Sequence, residues 1–113
     1  MMRIYHNPRC RKSRETLQLI TDSGVDPEIV EYLITPLSQE ELAEIVEKLG
    51  ISPQELLRKG EGIFKENFKG KSYTDAEWIQ IMVEHPKLIE RPIVVKHDKA
   101  IIGRPPENVL PFL

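Results

Sequence analysis

The sequence predicts an α/β fold in which a strand–helix–strand unit is followed by a helical middle and a closing β-hairpin. Three observations carry this prediction: a short apolar segment that ends at Asn7-Pro8, three helix-start signals between residues 38 and 77, and two apolar segments near the end. A length of 113 residues and an apolar fraction of 40% suit one domain with a hydrophobic core. We therefore interpret residues 1–113 as a single domain with a helical insertion at about 35–90.

The first predicted unit lies within the first 33 residues. Residues 3–5 form a short strand, and a helix begins just after Cys10 and continues to Ser23, where Gly24 is its stop signal. Residues 28–33 form the second strand. Strand, helix and strand in this order indicate a βαβ unit with parallel strands and a right-handed crossover.

The middle of the chain carries repeated helix-start signals. Ser38, Ser52 and Thr74 are each followed three residues later by glutamate, which is the pattern of a capping box. Apolar residues then recur at helical spacing and indicate faces that pack into a core rather than ligand contacts. Between the second and third signals, residues 60–71 are predicted to be a Gly- and Lys-bearing loop, of a length at which loops are often functional.

Two apolar segments close the chain. Residues 92–96 and 100–103 flank His97-Asp98-Lys99 and predict a β-hairpin, and a terminal helix is expected to start near Pro106. The order β-α-β, three helices, β-β-α indicates a thioredoxin-like core with an inserted helical segment.

Composition excludes several classes of protein. The apolar runs are far shorter than the roughly 20 residues that span a bilayer, and no signal-peptide pattern follows Met1, so we expect a cytoplasmic protein with no membrane partner. One cysteine and three scattered histidines offer neither an internal disulfide nor metal-ligand spacing, so we expect no metal and no bound cofactor. We also expect a monomer with no nucleic-acid partner.

The single cysteine lies in a strongly basic segment. Residues 1–14 contain five Lys or Arg and no acidic residue, whereas residues 15–50 contain nine carboxylates and one lysine. Cys10 follows a strand and precedes a helix, where unpaired N–H groups and the positive end of the helix dipole favour a thiolate. The flanking Arg9, Arg11, Lys12 and Arg14 are expected to act in the same direction and to attract small oxyanions.

Two familiar cysteine chemistries are incomplete in this segment. A phosphatase-type loop needs an arginine six residues after the cysteine, and Thr16 occupies that position. A self-contained dithiol needs a second cysteine three residues on, and Ser13 occupies that position. Cys10 therefore reacts alone, and any disulfide it forms is with another molecule.

Four ordered blocks of sequence resemble the glutathione- and glutaredoxin-coupled arsenate reductases (ArsC type), in their short, chromosomally encoded branch. The resemblance covers nearly the whole chain. The blocks are His6-Asn7-Pro8-x-Cys10-x-x-Ser13-Arg14, Leu56-Leu57-Arg58-Lys59, His85-Pro86-x-Leu88-Ile89-x-Arg91-Pro92-Ile93-Val94-Val95 and Gly103-Arg104-Pro105.

This resemblance implies that the chain reduces arsenate to arsenite. Cys10 would attack arsenate, and Arg58, Arg91 and Arg104 would hold the oxyanion, which suits guanidinium groups because they bind oxyanions through charge-assisted and often bidentate hydrogen bonds. Glutathione would be the co-substrate that supplies the second thiol, and glutaredoxin would remove the resulting mixed disulfide.

The resemblance also implies a supporting shell around the cysteine. His6, Asn7 and Ser13 are its members: the Ser13 hydroxyl is expected to point at the sulfur, and His6 either tunes the charge of the site or orders the loop. Thioredoxin-like folds place a cis-proline beside the active cysteine, and Pro92 occupies the corresponding position.

Two alternatives remain open from the sequence. One is a glutathione-linked thiol reductase with a different substrate, because another tetrahedral oxyanion or a glutathionylated thiol would fit much the same site. The other is a non-enzymatic, Spx-like transcriptional regulator that binds RNA polymerase. The usual Cys-x-x-Cys switch of such regulators is absent, because Ser13 stands where the second cysteine would be.

Overall fold

The computed structural model describes residues 2–113, which divide into two compact units. The first unit contains the chain up to Thr35 together with Arg91–Leu113, and the second is Pro36–Glu90. Each unit has its own core. The interpretation of residues 1–113 as a single domain stays a prediction.

The first unit is a four-stranded sheet with a helix and a terminal 3₁₀ helix. The strand order is β2-β1-β3-β4, with β1 parallel to β2 and antiparallel to β3, and with β3 antiparallel to β4. This is the mixed α/β, thioredoxin-like arrangement that the sequence predicts. Its elements are β1 (Met2–Tyr5), α1 (Arg11–Asp22), β2 (Glu28–Val30), β3 (Ile93–Lys96), β4 (Lys99–Ile102) and a 3₁₀ helix at Pro106–Phe112.

The core of this unit joins the central strands to α1 and the terminal 3₁₀ helix. Ile4, Ile20, Val94 and Val109 are fully buried, and each contributes roughly 1.5–3 kcal/mol through burial of apolar surface. The buried face of α1 changes character along its length, because Ser13 and Thr16 are polar whereas Ile20 is apolar. The N-terminal half of α1 thus presents hydroxyl groups to the interior beside Cys10.

The second unit is helical, with α2 at Gln39–Leu49, α3 at Gly62–Asn67 and α4 at Asp75–Glu84. Two 3₁₀ helices, Pro53–Leu56 and Pro86–Leu88, connect them. All three predicted capping boxes are present, at Ser38, Ser52 and Thr74. The core of the unit includes Phe64 and Trp78, whose ring centroids lie 6.3 Å apart.

Two predictions about the middle of the chain need correction. Residues 60–71 are not simply a loop, because α3 forms within them and is anchored by the packing of Phe64 on Trp78. The signal at Ser52 starts only a 3₁₀ helix, because Leu57 leaves the helical conformation and pairs with Ile89 in an isolated β-bridge.

Two further predicted elements differ from the structure, one in its length and one in its helix type. The strand expected over residues 28–33 ends at Val30, because the N–H groups of Ile34 and Thr35 donate to the Glu31 carbonyl and close a turn. The terminal helix is a 3₁₀ helix that contains Pro111, a residue with no N–H for an α-helical hydrogen bond. Across residues 2–113, every helix is too short or too polar to traverse a lipid bilayer.

Candidate active site

Asn7 shapes the turn that joins β1 to α1. Its side-chain oxygen accepts a hydrogen bond from the Arg9 N–H at 3.0 Å, and its carbonyl accepts one from the Cys10 N–H at 3.0 Å. The turn is held to the sheet because the His6 N–H donates to the Val30 carbonyl at 2.8 Å. Asn7 therefore fixes where Cys10 lies relative to the end of β1.

Cys10 occupies the N-cap position of α1. Its backbone is extended, with φ −92° and ψ 122°, and its carbonyl accepts the first helical hydrogen bond, from Arg14. The thiol is partly exposed. An N-cap side chain lies where the unpaired N–H groups of the first helical turn converge, so the sequence places the sulfur at a site that favours negative charge.

The pKa of Cys10 reflects opposing influences. Burial raises the pKa of the thiol, but the backbone N–H of Ser13 and the side chain of Arg91 lower it by hydrogen bonding to the sulfur. The charge of Arg91 and the backbone N–H of Lys12 act in the same direction, and the net pKa is below its ordinary value. A larger fraction of Cys10 is therefore thiolate at neutral pH than for a free cysteine.

The flanking cations contribute less to this shift than the sequence suggests. Arg9, Arg11, Lys12 and Arg14 are all exposed. Arg11 pairs with Glu15 at 3.0 Å, and Arg14 donates to the Pro8 carbonyl at 2.9 Å. Solvent screens exposed charges. The largest contributions that lower the pKa come instead from Arg91 and from backbone N–H groups.

Ser13 and His6 form a buried pair beneath the loop. The Ser13 hydroxyl oxygen lies 2.6 Å from His6 Nδ1 and accepts a hydrogen bond from the Asn7 N–H at 3.0 Å. The hydroxyl is therefore engaged with the loop, whereas the sequence leads us to expect that it points at the sulfur. Ser13 reaches Cys10 through its backbone N–H.

His6 acts in this arrangement as a neutral ring that orders the loop. Burial lowers its pKa, and Arg14 lowers it further, although Glu31 raises it. A neutral imidazole has one acceptor nitrogen. Ser13 Oγ accepts from the Asn7 N–H and pairs with His6 Nδ1, in a hydrogen bond whose donor depends on the tautomer of the ring.

Arg91 and Arg104 both belong to the first unit, and each is followed by a cis-proline. The cis bond at Arg91–Pro92 confirms the expectation for Pro92, and the one at Arg104–Pro105 is a further finding. Arg91 lowers the pKa of the Cys10 thiol, so the structure brings these two predicted site residues close to one another. The carbonyl of Arg104 accepts a hydrogen bond from the Asn108 side chain at 3.1 Å.

Thr16 and Gly103 are part of the site's framework that sequence reasoning missed. Gly103 donates its N–H to the Pro92 carbonyl at 2.9 Å and accepts a hydrogen bond from the buried Thr16 hydroxyl at 3.2 Å. A Cβ at position 103 would lie 2.6 Å from Thr16 Oγ1 and 2.9 Å from Pro92 Cγ. Only glycine therefore fits at position 103, between Thr16 of α1 and Pro92.

Arg58 belongs to the second unit. Its N–H donates to the Leu88 carbonyl at 2.7 Å, and its half-buried guanidinium lies 3.6 Å from Glu90 and 3.8 Å from Glu61. Sequence reasoning did not identify these two carboxylates as its neighbours. Its role as an oxyanion ligand stays a prediction.

The reactive groups of this candidate site are the thiol of Cys10 and the guanidinium groups of the arginines. Within residues 2–113 no group of three or more His, Cys, Asp or Glu side chains is arranged to hold a metal ion. A low-pKa thiolate hydrogen-bonded to an arginine can attack an electrophilic centre whose oxygen atoms carry negative charge.

Comparison with known proteins gives consistent matches over nearly the whole chain. Residues 5–112 match the ArsC family. Arsenate reductase of Haemophilus influenzae is 46% identical over 112 residues, which cover 97% of this chain and 97% of that protein. Uncharacterized protein YfgD of Escherichia coli K12 is 52% identical over 111 residues, or 96% and 93% of the two chains. The solved structure of arsenate reductase from Vibrio cholerae has a TM-score of 0.95 at 46% identity and covers 99% of this chain and 97% of its own.

Proposed function

The chain belongs to the ArsC family, and from that premise we propose that it reduces arsenate to arsenite, with Cys10 as its nucleophile and with glutathione and glutaredoxin as its reductants. The observation that carries the proposal is the position of Cys10 at the N-cap of α1, where backbone N–H groups and Arg91 lower the pKa of its thiol. This arrangement supports a role for Cys10 as the nucleophile, with Arg91 as an oxyanion-binding group beside it.

The first step forms a bond between sulfur and arsenic. The Cys10 thiolate attacks the arsenic atom of hydrogen arsenate, and one arsenate oxygen leaves as water after it takes up protons. No electrons are transferred in this step, and arsenic stays pentavalent. Arg91 and Arg104 neutralise the charge of the remaining oxygens, and the resemblance assigns the same role to Arg58.

The second step reduces arsenic. A glutathione thiolate attacks the Cys10 sulfur and forms a mixed disulfide, while the electron pair of the sulfur–arsenic bond stays on arsenic. Arsenic becomes trivalent and leaves as arsenite. A glutaredoxin thiolate then attacks the glutathione sulfur of the mixed disulfide and releases Cys10 as a thiolate. This external route is needed because Cys10 is the only cysteine of the chain.

The supporting residues keep the nucleophile in place during this cycle. Asn7 closes the turn before Cys10, and the Ser13–His6 pair holds the loop from beneath. A cytoplasmic location and a monomeric state are part of the same proposal.

A coupled assay tests the proposal directly. Purified protein, arsenate, glutathione and glutaredoxin should yield arsenite, and the Cys10→Ser variant should yield none above background. Omission of glutaredoxin should leave the parent protein trapped as a one-to-one glutathione adduct on the Cys10 peptide. Sustained arsenite production with thioredoxin alone would contradict the proposed cycle, and the absence of arsenite in the complete mixture would contradict the substrate.

A further inference from the structure

The second unit contains a cavity that the proposed function does not use. Its volume is about 440 Å³, and it lies among the segment that precedes α3, α3 itself, the segment that follows it, and α4. Cavities of roughly 300–1,000 Å³ are the usual size for small-molecule sites. None of its lining residues belongs to the thiol site described above.

Four lysines surround this cavity. Lys59, Lys65, Lys69 and Lys71 all line it, and no carboxylate does. In the part of the chain that the structure describes, none of the four forms an ion pair. Four ammonium groups around one concavity repel one another, and a bound anion would relieve that repulsion.

Helix α3 and the residues just after it carry both lysines and aromatic side chains. Phe64 and Lys65 lie within α3, Phe68 is its C-cap residue, and Lys69 follows the cap. Both phenylalanines pack against Trp78, with ring-centroid distances of 6.3 and 6.5 Å. This aromatic packing holds α3 against α4, whereas Lys65 and Lys69 are exposed.

Trp78 supplies a second, independent observation. It lines the cavity, it is 3% exposed, and its indole N–H has no hydrogen-bond acceptor within residues 2–113. A buried donor without an acceptor is energetically unfavourable. The same cavity thus combines unneutralised cations with an unsatisfied hydrogen-bond donor, and both groups are satisfied by a ligand rich in anionic oxygen atoms.

We propose that this cavity binds a small polyanion, a phosphorylated metabolite that carries at least two negative charges. Phosphate is favoured as the anionic group because lysine ammonium groups bind it as compact point charges, whereas planar recognition of a single carboxylate favours arginine. The site is distinct from the thiol site, and the inference does not depend on arsenate as the substrate.

Trp78 is the only tryptophan of the chain, so its fluorescence reports on this cavity. Full-length protein titrated with inorganic pyrophosphate at low ionic strength should show a saturable change in Trp78 emission. The double variant Lys65→Ala/Lys69→Ala should raise the Kd about tenfold or more, because it removes two charge-assisted contacts. Lys87→Ala is the matched control, since Lys87 is an exposed lysine of the same unit that does not line the cavity.

The thiol site also attracts oxyanions, so the pyrophosphate titration is repeated with Arg91→Ala to separate the two sites. Arg91→Ala should leave the Trp78 titration unchanged. The proposal is overturned if Arg91→Ala abolishes the signal while the lysine variant retains it. It is also overturned if no saturable change occurs up to millimolar pyrophosphate, or if Lys87→Ala weakens binding as much as the double variant.

Discussion

The hydroxyl of Thr16 hydrogen-bonds to the carbonyl of Gly103, 87 residues further along the chain. The same hydroxyl lies 2.8 Å from the Lys12 carbonyl within α1, so its single proton is shared between the helix and the segment that leads into Arg104. Gly103 is held on its other side by Pro92, the neighbour of Arg91. One buried backbone unit therefore sets the spacing between the cysteine helix and the segments that carry both arginines.

Replacement of Thr16 by valine tests this link. Thr16→Val keeps the volume but leaves the buried Gly103 carbonyl without its hydroxyl donor, which should lower the free energy of unfolding by about 1–3 kcal/mol. The arsenate KM should rise because the Arg104 segment loses its tie to α1. Urea unfolding and arsenate kinetics measure the two effects. Thr16→Ser keeps the hydroxyl and is the control, and equal behaviour of the Val and Ser variants would argue against the link.

Substitution of Gly103 tests the close approach itself. Gly103→Ala would place a methyl group 2.6 Å from Thr16 Oγ1, so backbone or side chains must shift, at a cost of about 1–3 kcal/mol. Gly60→Ala is the matched control, because a Cβ at position 60 meets nothing within 4 Å. Thermal or urea unfolding should separate the two variants clearly. Comparable stability of both would show that the contact can relax.

The ionisation of Cys10 can be followed by alkylation rate against pH. The midpoint should lie below the free-thiol value of about 8.5, and Arg91→Ala should raise it, because Arg91 lowers the pKa by hydrogen bonding and by charge. A depressed pKa in the folded state adds stability above the unfolded pKa, and this contribution is lost as pH falls through the folded pKa. A midpoint at or above 8.5 in the parent protein would refute the assignment.

The arginine assignments predict a graded effect on arsenate reduction. Arg91→Ala and Arg104→Ala should each lower kcat/KM at least tenfold, because each removes charge-assisted hydrogen bonds worth about 1.5–3 kcal/mol. Lysine at either position should restore only part of the activity, since it keeps the charge but not the planar fork. Arg58→Ala should act in the same direction. If all three alanine variants reduced arsenate with the kinetics of the parent protein, the arginines would not belong to the proposed site.

His6 predicts a pH dependence of stability. Its pKa is lowered in the folded state, first by burial, so the unfolded chain binds the proton more readily. Stability should therefore be greatest above the unfolded pKa of about 6.5 and should fall as pH drops below it. Urea unfolding at pH 7.5 and pH 5 measures this decrease, and His6→Asn should reduce it. An unchanged pH dependence in His6→Asn would assign the effect to other groups.

Local signals were sufficient to predict much of the fold and the position of Cys10 at the start of a helix. The three capping boxes, the position of Cys10 at the start of α1 and the turn at His97 are encoded within a few residues. They could be recognised because each depends on short-range hydrogen bonding or backbone preference. The loop-ordering role of His6 is one of two alternatives from the sequence; its burial favours that role, and the assignment stays a prediction.

Features that depend on distant partners could not be predicted. Helix α3 was missed because Phe64 is anchored by Trp78, fourteen positions later in the sequence, and propensity alone does not show this. Thr16 resembles any helix threonine that bonds back to the preceding turn. Its second partner, Gly103, becomes visible only when the sheet brings the two ends of the chain together.

The pairing of β1 with β3, with Ile4 opposite Val94, has a consequence for the order of events during synthesis. Arg91 contributes to the lowered pKa of Cys10, so this contribution cannot develop while the ribosome has released only the N-terminal residues. Closure of the long loop between Tyr5 and Ile93 is entropically unfavourable and slow compared with local helix formation. On a nascent chain the thiol therefore has only the backbone N–H groups of α1 to lower its pKa, and it gains the contribution of Arg91 when β3 has paired with β1.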